Sequence, residues 1–244
     1  MKKKIIILII IVAGIAILYF LLNQKAEAPG GSSDGKNSDN VSIPAEDLAK
    51  YTVNVQESIY YIVNKNRHIS ASYVPNNLVK PDVALVPGDN PEEQQLRGEA
   101  ATAAKTMFEA AEKAGFSLVM ASGYRSAQLQ EILFNNYAAR DGEEAASKYS
   151  ARPGTSEHQT GLALDVTTES RECYLDVCFA ETPEGKWLKN NAHKYGFHLR
   201  YQKGKEDITG YQFEPWHFRY VGNDLAKRLH DSGQTMEEFF GILL

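Results

Sequence analysis

The sequence contains only two cysteines, no internal repeat and no excess of basic residues. Its 26 Lys and Arg residues are outnumbered by 31 Asp and Glu residues, and no basic cluster lies beside aromatic residues, so nothing indicates nucleic-acid binding. Cys173 and Cys178 are too few for a zinc site of four thiolates, and they form either a short-loop disulfide or two unpaired thiols. Because 43% of the residues are hydrophobic and 23% are charged, the chain can bury a sizeable core.

Charge is also absent from a long stretch near the start of the chain. Residues 5–22 are uncharged, and three lysines precede them. A membrane-spanning helix needs roughly 20 apolar residues, and lysines that flank it stay on the cytoplasmic side. We therefore expect residues 1–22 to be a transmembrane anchor and the remainder to lie outside the cell. No cysteine follows the apolar run, which argues against a lipoprotein. The alternative is a secreted protein released at residues 26–28, although Pro29 directly after this site disfavours signal-peptide cleavage.

The rest of the chain divides into a linker and one domain. Residues 23–50 are polar and contain a Gly- and Ser-rich stretch, so we expect a flexible extracellular linker. Residues 51–244 have the size of a single domain, in which the candidate catalytic residues described below all lie. Hydrophobic spacing predicts helices at 91–114, 126–140, 185–195, 223–231 and 235–240, and strands at 116–122, 161–166, 197–201 and 216–221. Because these elements do not alternate regularly, we predict an α+β fold with a small antiparallel sheet and packed helices.

Two of the helices have recognisable ends and faces. Leu96 begins the apolar face of the helix at 91–114, and Gly115 ends that helix. Ser126 is the expected N-cap of the next helix. The expected buried stripe of that second helix consists of Leu129, Ile132, Leu133 and Tyr137.

Polar side chains lie at the start of two predicted strands. Side chains alternate between the faces of a strand, so Asp165 lies opposite the apolar face of its strand, with His158 just before that strand. The same alternation separates His217 from its apolar neighbours, and Glu214 precedes it by three residues. A hydrolytic zinc site uses three protein ligands and leaves a position for water, and a nearby carboxylate takes the proton of that water. These residues therefore predict one zinc ion bound by His158, Asp165 and His217, with Glu214 as the base. The alternative is two strand ends that carry ordinary polar residues.

Arg125 lies three positions after the end of the predicted strand at 116–122. An arginine in this position can bind a carboxylate through two hydrogen bonds, or stabilise negative charge that develops on a carbonyl oxygen. The alternative is an ordinary ion pair between Arg125 and a surface acid.

Five sequence motifs occur in one order along the chain. They are residues 122–126 (SGYRS), 154–165 (GTSEHQTGLALD), 184–188 (EGKWL), 195–197 (YGF) and 214–220 (EPWHFRY). Together they resemble the VanY-like zinc D-Ala carboxypeptidases, which include L,D-carboxypeptidases of Gram-positive bacteria, over about residues 75–222. The resemblance implies a fold like that of hedgehog amino-terminal domains and D-Ala-D-Ala peptidases.

The resemblance also implies roles for single residues. His158, Asp165 and His217 match the zinc ligands, and Glu214 matches the catalytic base. Arg125 matches the residue that steadies the substrate carbonyl and its oxyanion. Ser156 and Gln130 match positions that help to hold the terminal D-Ala of the substrate. Tyr124 is a further residue that we expect to contact the substrate.

The activity implied by the resemblance is removal of a terminal D-Ala from peptidoglycan stem peptides. We expect the protein to act outside the cell as a monomer. The segments 184–188 and 195–197 resemble the L,D type more closely, which acts on tetrapeptides. The alternatives are a D,D-carboxypeptidase acting on pentapeptides, an endopeptidase that cuts cross-bridges, and a wall-binding module without catalytic activity.

Overall fold

The architecture is known from a computed structural model, which describes residues 48–88 and 90–242. The expected anchor at 1–22 and nearly all of the expected linker at 23–50 lie outside these residues. In the part that is described, no helix combines the length and the apolar character needed to cross a membrane. The described residues belong to one compact unit, Pro44–Leu244.

A four-stranded antiparallel sheet forms the centre of this unit. Its strands lie in the order β3-β4-β6-β5, and a separate antiparallel pair is formed by β1 and β2. The strands are β1 (Leu78–Val79), β2 (Leu96–Arg97), β3 (Leu118–Ser122), β4 (Ala163–Thr168), β5 (Phe197–Leu199) and β6 (His217–Tyr220). The small antiparallel sheet with helices packed on it confirms the predicted α+β class.

Seven α-helices lie within the described ranges. They are α1 (Gly98–Lys113), α2 (Ala127–Asp141), α3 (Glu143–Tyr149), α4 (Pro183–Asn191), α5 (Glu206–Thr209), α6 (Asn223–Ser232) and α7 (Met236–Phe240). Short 3-10 helices lie at Glu92–Gln94, Glu157–Thr160, Val177–Glu181 and Ala192–Tyr195.

The helix predicted at 91–114 begins later than expected. Leu96 pairs with β1 as part of β2, so α1 starts only at Gly98. The apolar face of α1 then packs into the core through Ala104, Met107 and other small or flexible side chains. Gly115 has φ +87, a left-handed conformation that glycine adopts readily, and it ends the helix as predicted.

Helix α2 starts where the sequence predicts but turns a different face inward. The Ser126 hydroxyl accepts a hydrogen bond from the backbone N–H of Leu129 at 3.2 Å and caps the helix. The buried residues, however, are Ala127, Gln130 and Phe134, while Ile132 is 52% exposed. The predicted stripe was therefore wrong, because a polar residue, Gln130, occupies the centre of the buried face.

The two central strands separate an apolar face from a polar one. Leu164 and Val166 of β4 and Phe218 of β6 belong to the main hydrophobic core. The alternate residues, which include Asp165 and His217, face the other way and are also buried. The alternation that the sequence predicts is thus present in β4 and β6, and it places these polar side chains together on one face of the sheet.

Candidate active site

Three side chains from two strands and one 3-10 turn meet on the polar face of the sheet. Asp165 and His217 are direct partners in the register between β4 and β6. His158 lies in the turn Glu157–Thr160, immediately before β4. One Asp165 oxygen lies 3.1 Å from His217 Nδ1, and the other lies 3.3 Å from His158 Nε2. The three possible ligand atoms all lie within 4.8 Å of one another, so the structure brings together the predicted ligands.

Neighbouring groups fix the orientation of this triad. His158 Nδ1 lies 2.6 Å from the carbonyl oxygen of Gly123, so Nδ1 donates its proton there and Nε2 stays available on the Asp165 side. The Ser122 hydroxyl donates to Asp165 Oδ2 at 2.6 Å. A β-carbon on Gly123 would lie 2.3 Å from the Gln95 carbonyl oxygen, so the turn that presents this acceptor requires glycine.

The charges of the triad depend on one another. Burial raises the pKa of Asp165, but the neighbouring histidines outweigh this effect and hold it well below its ordinary value. Burial and the positive charge of Arg125 lower the pKa of His158 to about 4. Burial also lowers the pKa of His217, but the neighbouring carboxylates of Asp165 and Glu157 outweigh burial and raise it to about 9. The site therefore holds an ionised carboxylate beside one neutral imidazole and one basic imidazole.

This donor set fits a zinc ion. Two imidazole nitrogens and one carboxylate oxygen are the ligand types of catalytic zinc sites, which use three protein ligands. Asp165 Oδ1 is buried and has no hydrogen-bond donor among the described residues. A carboxylate oxygen left without a donor, with imidazole nitrogens around it, suits a bound cation.

Glu214 lies beside the triad without joining it. It precedes β6 and is 6% exposed, and its Oε2 lies 3.8 Å from His217 Nδ1. Burial raises the pKa of Glu214 to about 8, the negative charge of Asp165 adds to this, and the positive charges of His217 and Arg125 reduce it. A carboxyl group with a pKa near neutrality suits proton transfer.

Arg125 extends towards the same site from the segment after β3. Its Nη1 donates to Gln130 Oε1 at 3.0 Å, and its Nη2 lies 3.5 Å from Asp165 Oδ2. Its side chain is 15% exposed and has two acidic neighbours, because Nε also lies 3.9 Å from Oε1 of the partly exposed Glu93. Gln130 also donates from Nε2 to the Ala151 carbonyl oxygen at 2.7 Å. Gln130 thus fixes the position of the Arg125 guanidinium.

A cavity of about 380 Å³ opens onto these groups. The triad, Glu214 and Arg125 line it, and so do the predicted substrate-contacting residues Ser156 and Gln130. Tyr124 does not line it: its side chain is buried, and its backbone N–H donates to the Gln95 carbonyl oxygen at 2.7 Å. The remainder of the wall includes Tyr137, Leu175, Tyr201, Tyr211 and Trp216.

The sequence analysis missed two groups that hold the triad. Ser122 precedes the motif glycine and donates to Asp165, but a serine at a strand end gives no signal of its own. Glu157 is fully buried next to His158 in the chain and lies close to His217 in space. Its two arginine partners, Arg200 and Arg219, are more than 40 positions away, so only the fold reveals the cluster.

The disulfide question is answered by the structure. Cys173 and Cys178 are bonded to each other and close a loop of six residues. Leu175 within this loop lines the cavity, so the disulfide constrains one wall of the site.

The chain is similar in sequence and fold to known proteins. A family model described as VanY, D-alanyl-D-alanine carboxypeptidase, matches residues 93–223. The putative carboxypeptidase YodJ of Bacillus subtilis (strain 168) is 46% identical over 189 residues, which cover 78% of this chain and 69% of that protein. The structure of the LdcB LD-carboxypeptidase is similar with a TM-score of 0.72 and 46% identity, covering 78% of this chain and 88% of that one. A zinc-bound mutant of the vancomycin-resistance D,D-pentapeptidase VanY is similar with a TM-score of 0.60 and 30% identity. The match covers 76% of this chain and 99% of that one. Because the matched region spans more than half of the sequence, the chain belongs to the VanY family of D-alanyl-D-alanine carboxypeptidases.

Proposed function

We propose that this protein is a zinc-dependent carboxypeptidase that removes the C-terminal D-Ala from peptidoglycan stem peptides. The observation that carries the proposal is the convergence of His158, Asp165 and His217 on one wall of a cavity, with the carboxyl group of Glu214 beside them. The similarity to a zinc-bound VanY structure supports the choice of metal. The D-Ala substrate class follows the family description and the names of the similar proteins.

In this mechanism His158, Asp165 and His217 would hold a single zinc ion, which would supply Lewis-acid chemistry by polarising the scissile carbonyl and lowering the pKa of a water molecule. Glu214 accepts the proton of the attacking water and then donates it to the leaving D-Ala amine. Burial alone disfavours the ionised form of Glu214 that accepts this proton, and a cation held by the three ligands would favour it. Arg125, held by Gln130, stabilises the negative charge that develops on the substrate carbonyl oxygen.

The terminal D-Ala is expected to bind near Ser156 and Gln130. Ser156 is buried in the cavity wall two residues before His158, where its hydroxyl can reach a substrate carboxylate. The amide of Gln130 is already occupied by Arg125 and Ala151, so its contribution to substrate binding acts through Arg125. The buried side chain of Tyr124 supports the turn between β3 and Arg125.

The L,D activity on tetrapeptides is favoured over the D,D activity on pentapeptides. The observation in its favour is the 46% identity to an LD-carboxypeptidase, against 30% identity to a D,D-pentapeptidase. The purified protein is incubated with stem tetrapeptide and pentapeptide, and free D-Ala is measured. Release from the tetrapeptide supports the L,D assignment, and release from the pentapeptide alone supports the D,D assignment.

The other two candidate functions give different results in the same experiment. An endopeptidase solubilises intact cell wall without releasing D-Ala. A wall-binding module binds stem peptides and leaves both unchanged. Failure to release D-Ala from either peptide would contradict the proposed carboxypeptidase.

We place the catalytic domain, residues 51–244, outside the cell as a monomer, attached by a linker at 23–50 to a membrane anchor at 1–22. This arrangement rests on the charge pattern of residues 1–22 and on a substrate that lies outside the membrane. Fractionation of cells tests it, because an anchored protein sediments with membranes and a secreted one is found in the medium.

A further inference from the structure

A buried cluster of charged side chains lies behind the triad. Glu157 is fully buried, and its Oε1 accepts hydrogen bonds from Arg200 Nε and Arg219 Nη1, both at 2.8 Å. Both partners are guanidinium groups, which stay charged and only donate hydrogen bonds, so Glu157 is an ionised carboxylate in the interior of the domain.

The second oxygen of this carboxylate faces one of the proposed metal ligands. Glu157 Oε2 lies 3.7 Å from His217 Nε2, slightly beyond hydrogen-bond range. Neither atom has a hydrogen-bond partner elsewhere in the described ranges, and both are buried. A buried carboxylate oxygen that faces a buried ring nitrogen is stabilised only when that nitrogen carries a proton, because two acceptors would repel each other.

The opposite edge of the His217 ring faces the metal site. Its Nδ1 lies 3.1 Å from Asp165, whereas Nε2 points towards Glu157. An imidazole can bind a metal through only the nitrogen that lacks a proton, so the protonation of one nitrogen decides the availability of the other. Carboxylates that accept the remaining N–H of a metal-bound histidine fix both its tautomer and its orientation.

We infer that Glu157 is a positioning residue for the metal site: it accepts the Nε2 proton of His217 and so directs the Nδ1 lone pair to the metal. The inference rests on the proposed zinc function, and it assigns Glu157 a role that acts through His217. The arginines act through Glu157, because they keep its carboxylate charged and in place.

The same cluster contains a matched control. Arg200 makes two further hydrogen bonds to Glu237 of α7, at 2.8 and 2.5 Å, and Asn64 donates to Glu237 at 3.0 Å. Glu237 is as deeply buried as Glu157 and shares its arginine, but it has no contact with His217. A substitution of Glu237 thus removes one buried charge from the cluster without altering the triad directly.

Glu157→Gln is the informative variant. The amide oxygen must face Arg200 and Arg219, which only donate, so the amide NH₂ faces His217 Nε2. That arrangement favours the other tautomer, with the proton on Nδ1, where it blocks metal binding. We expect the full-length Glu157→Gln protein to bind zinc roughly 10- to 100-fold more weakly than the wild type in a chelator competition. Glu237→Gln should bind zinc about as tightly as the wild type, because Glu237 is not a partner of a proposed ligand.

The outcomes separate this inference from the proposed function. If the wild type binds no zinc, the proposed function fails. If the wild type binds zinc and Glu157→Gln binds it equally well, or Glu237→Gln loses as much affinity, only the positioning role fails. Should Glu157→Gln not fold, ¹⁵N-histidine NMR of the zinc-loaded wild type decides. A protonated Nε2 on His217 supports the inference, and a proton on Nδ1 overturns it.

Discussion

Glu214→Gln separates the chemistry of the site from its architecture. The substitution preserves the shape of the side chain and removes its ability to accept a proton. Glu214 lies outside the triad, so the three ligands and their mutual contacts are unchanged. We expect the rate of D-Ala release to fall roughly 10²- to 10⁴-fold, the usual contribution of a general base, with zinc content unchanged.

The same substitution should stabilise the metal-free fold. Burial raises the pKa of Glu214 from 4.5 to about 8, so folding near pH 7 requires this carboxyl to take up a proton. This proton uptake lowers the unfolding free energy by about 1.4 kcal/mol for each pH unit above the pKa of Glu214 in the unfolded chain. Near pH 7 the loss is at most about 3 kcal/mol. The cost disappears near pH 4, where the carboxyl is protonated in both states. Glutamine does not titrate, so it avoids the cost throughout.

Urea unfolding of chelator-treated protein measures this effect. The variant should exceed the wild type in unfolding free energy by up to about 3 kcal/mol near pH 7 and should match it near pH 4. Glu112→Gln, an exposed substitution on α1, is the control and should change stability by less than about 0.5 kcal/mol. Equal stability of Glu214→Gln and wild type at both pH values would refute the burial argument, and full activity of Glu214→Gln would refute its catalytic role.

Three further predictions concern the supports of the site. Arg125→Lys loses the paired contacts to Gln130 and Asp165, so kcat/KM for D-Ala release should fall roughly 100-fold, with an unchanged value counting against oxyanion stabilisation. Replacing Cys173 and Cys178 by Ser should lower the unfolding free energy by about 2 kcal/mol, as measured by urea titration; no change would refute the constraint. Because the pKa of Glu157 is held low, its ionised form stabilises the fold above about pH 4, and this stability is lost as the pH falls further. As the pH falls below about 4, the unfolding free energy of Glu157→Gln should therefore decrease less than that of the wild type.

The sequence was most informative where a local pattern controls the geometry. Alternation in β4 and β6 placed Asp165 and His217 on one face, and the register between the strands makes them neighbours. The motif resemblance to VanY-like enzymes is confirmed by the family match and the similar structures. These inferences depend on the two-residue alternation of side chains along a strand and on short motifs, and both involve only residues that are close in the sequence.

Other features depended on contacts between distant segments. Helix α2 buries Gln130 because Arg125 and Ala151 supply partners for its amide, whereas hydrophobicity alone assigned the buried face to Ile132 and its neighbours. Leu96 leaves the predicted helix because β1 offers a strand partner. The buried carboxylate of Glu157 likewise depends on arginines that follow it by dozens of residues. Tertiary contacts override local preference at each of these positions.

The central claim is that His158, Asp165 and His217 together hold the metal that activity requires. Metal analysis of the full-length protein, combined with D-Ala release before and after chelation, tests it most directly. We expect about one zinc ion per chain, loss of activity on chelation, recovery on zinc addition, and loss of both zinc and activity in Asp165→Asn, since three protein ligands are the minimum of such sites. Undiminished D-Ala release by the metal-free protein, or full zinc content in Asp165→Asn, would contradict the account.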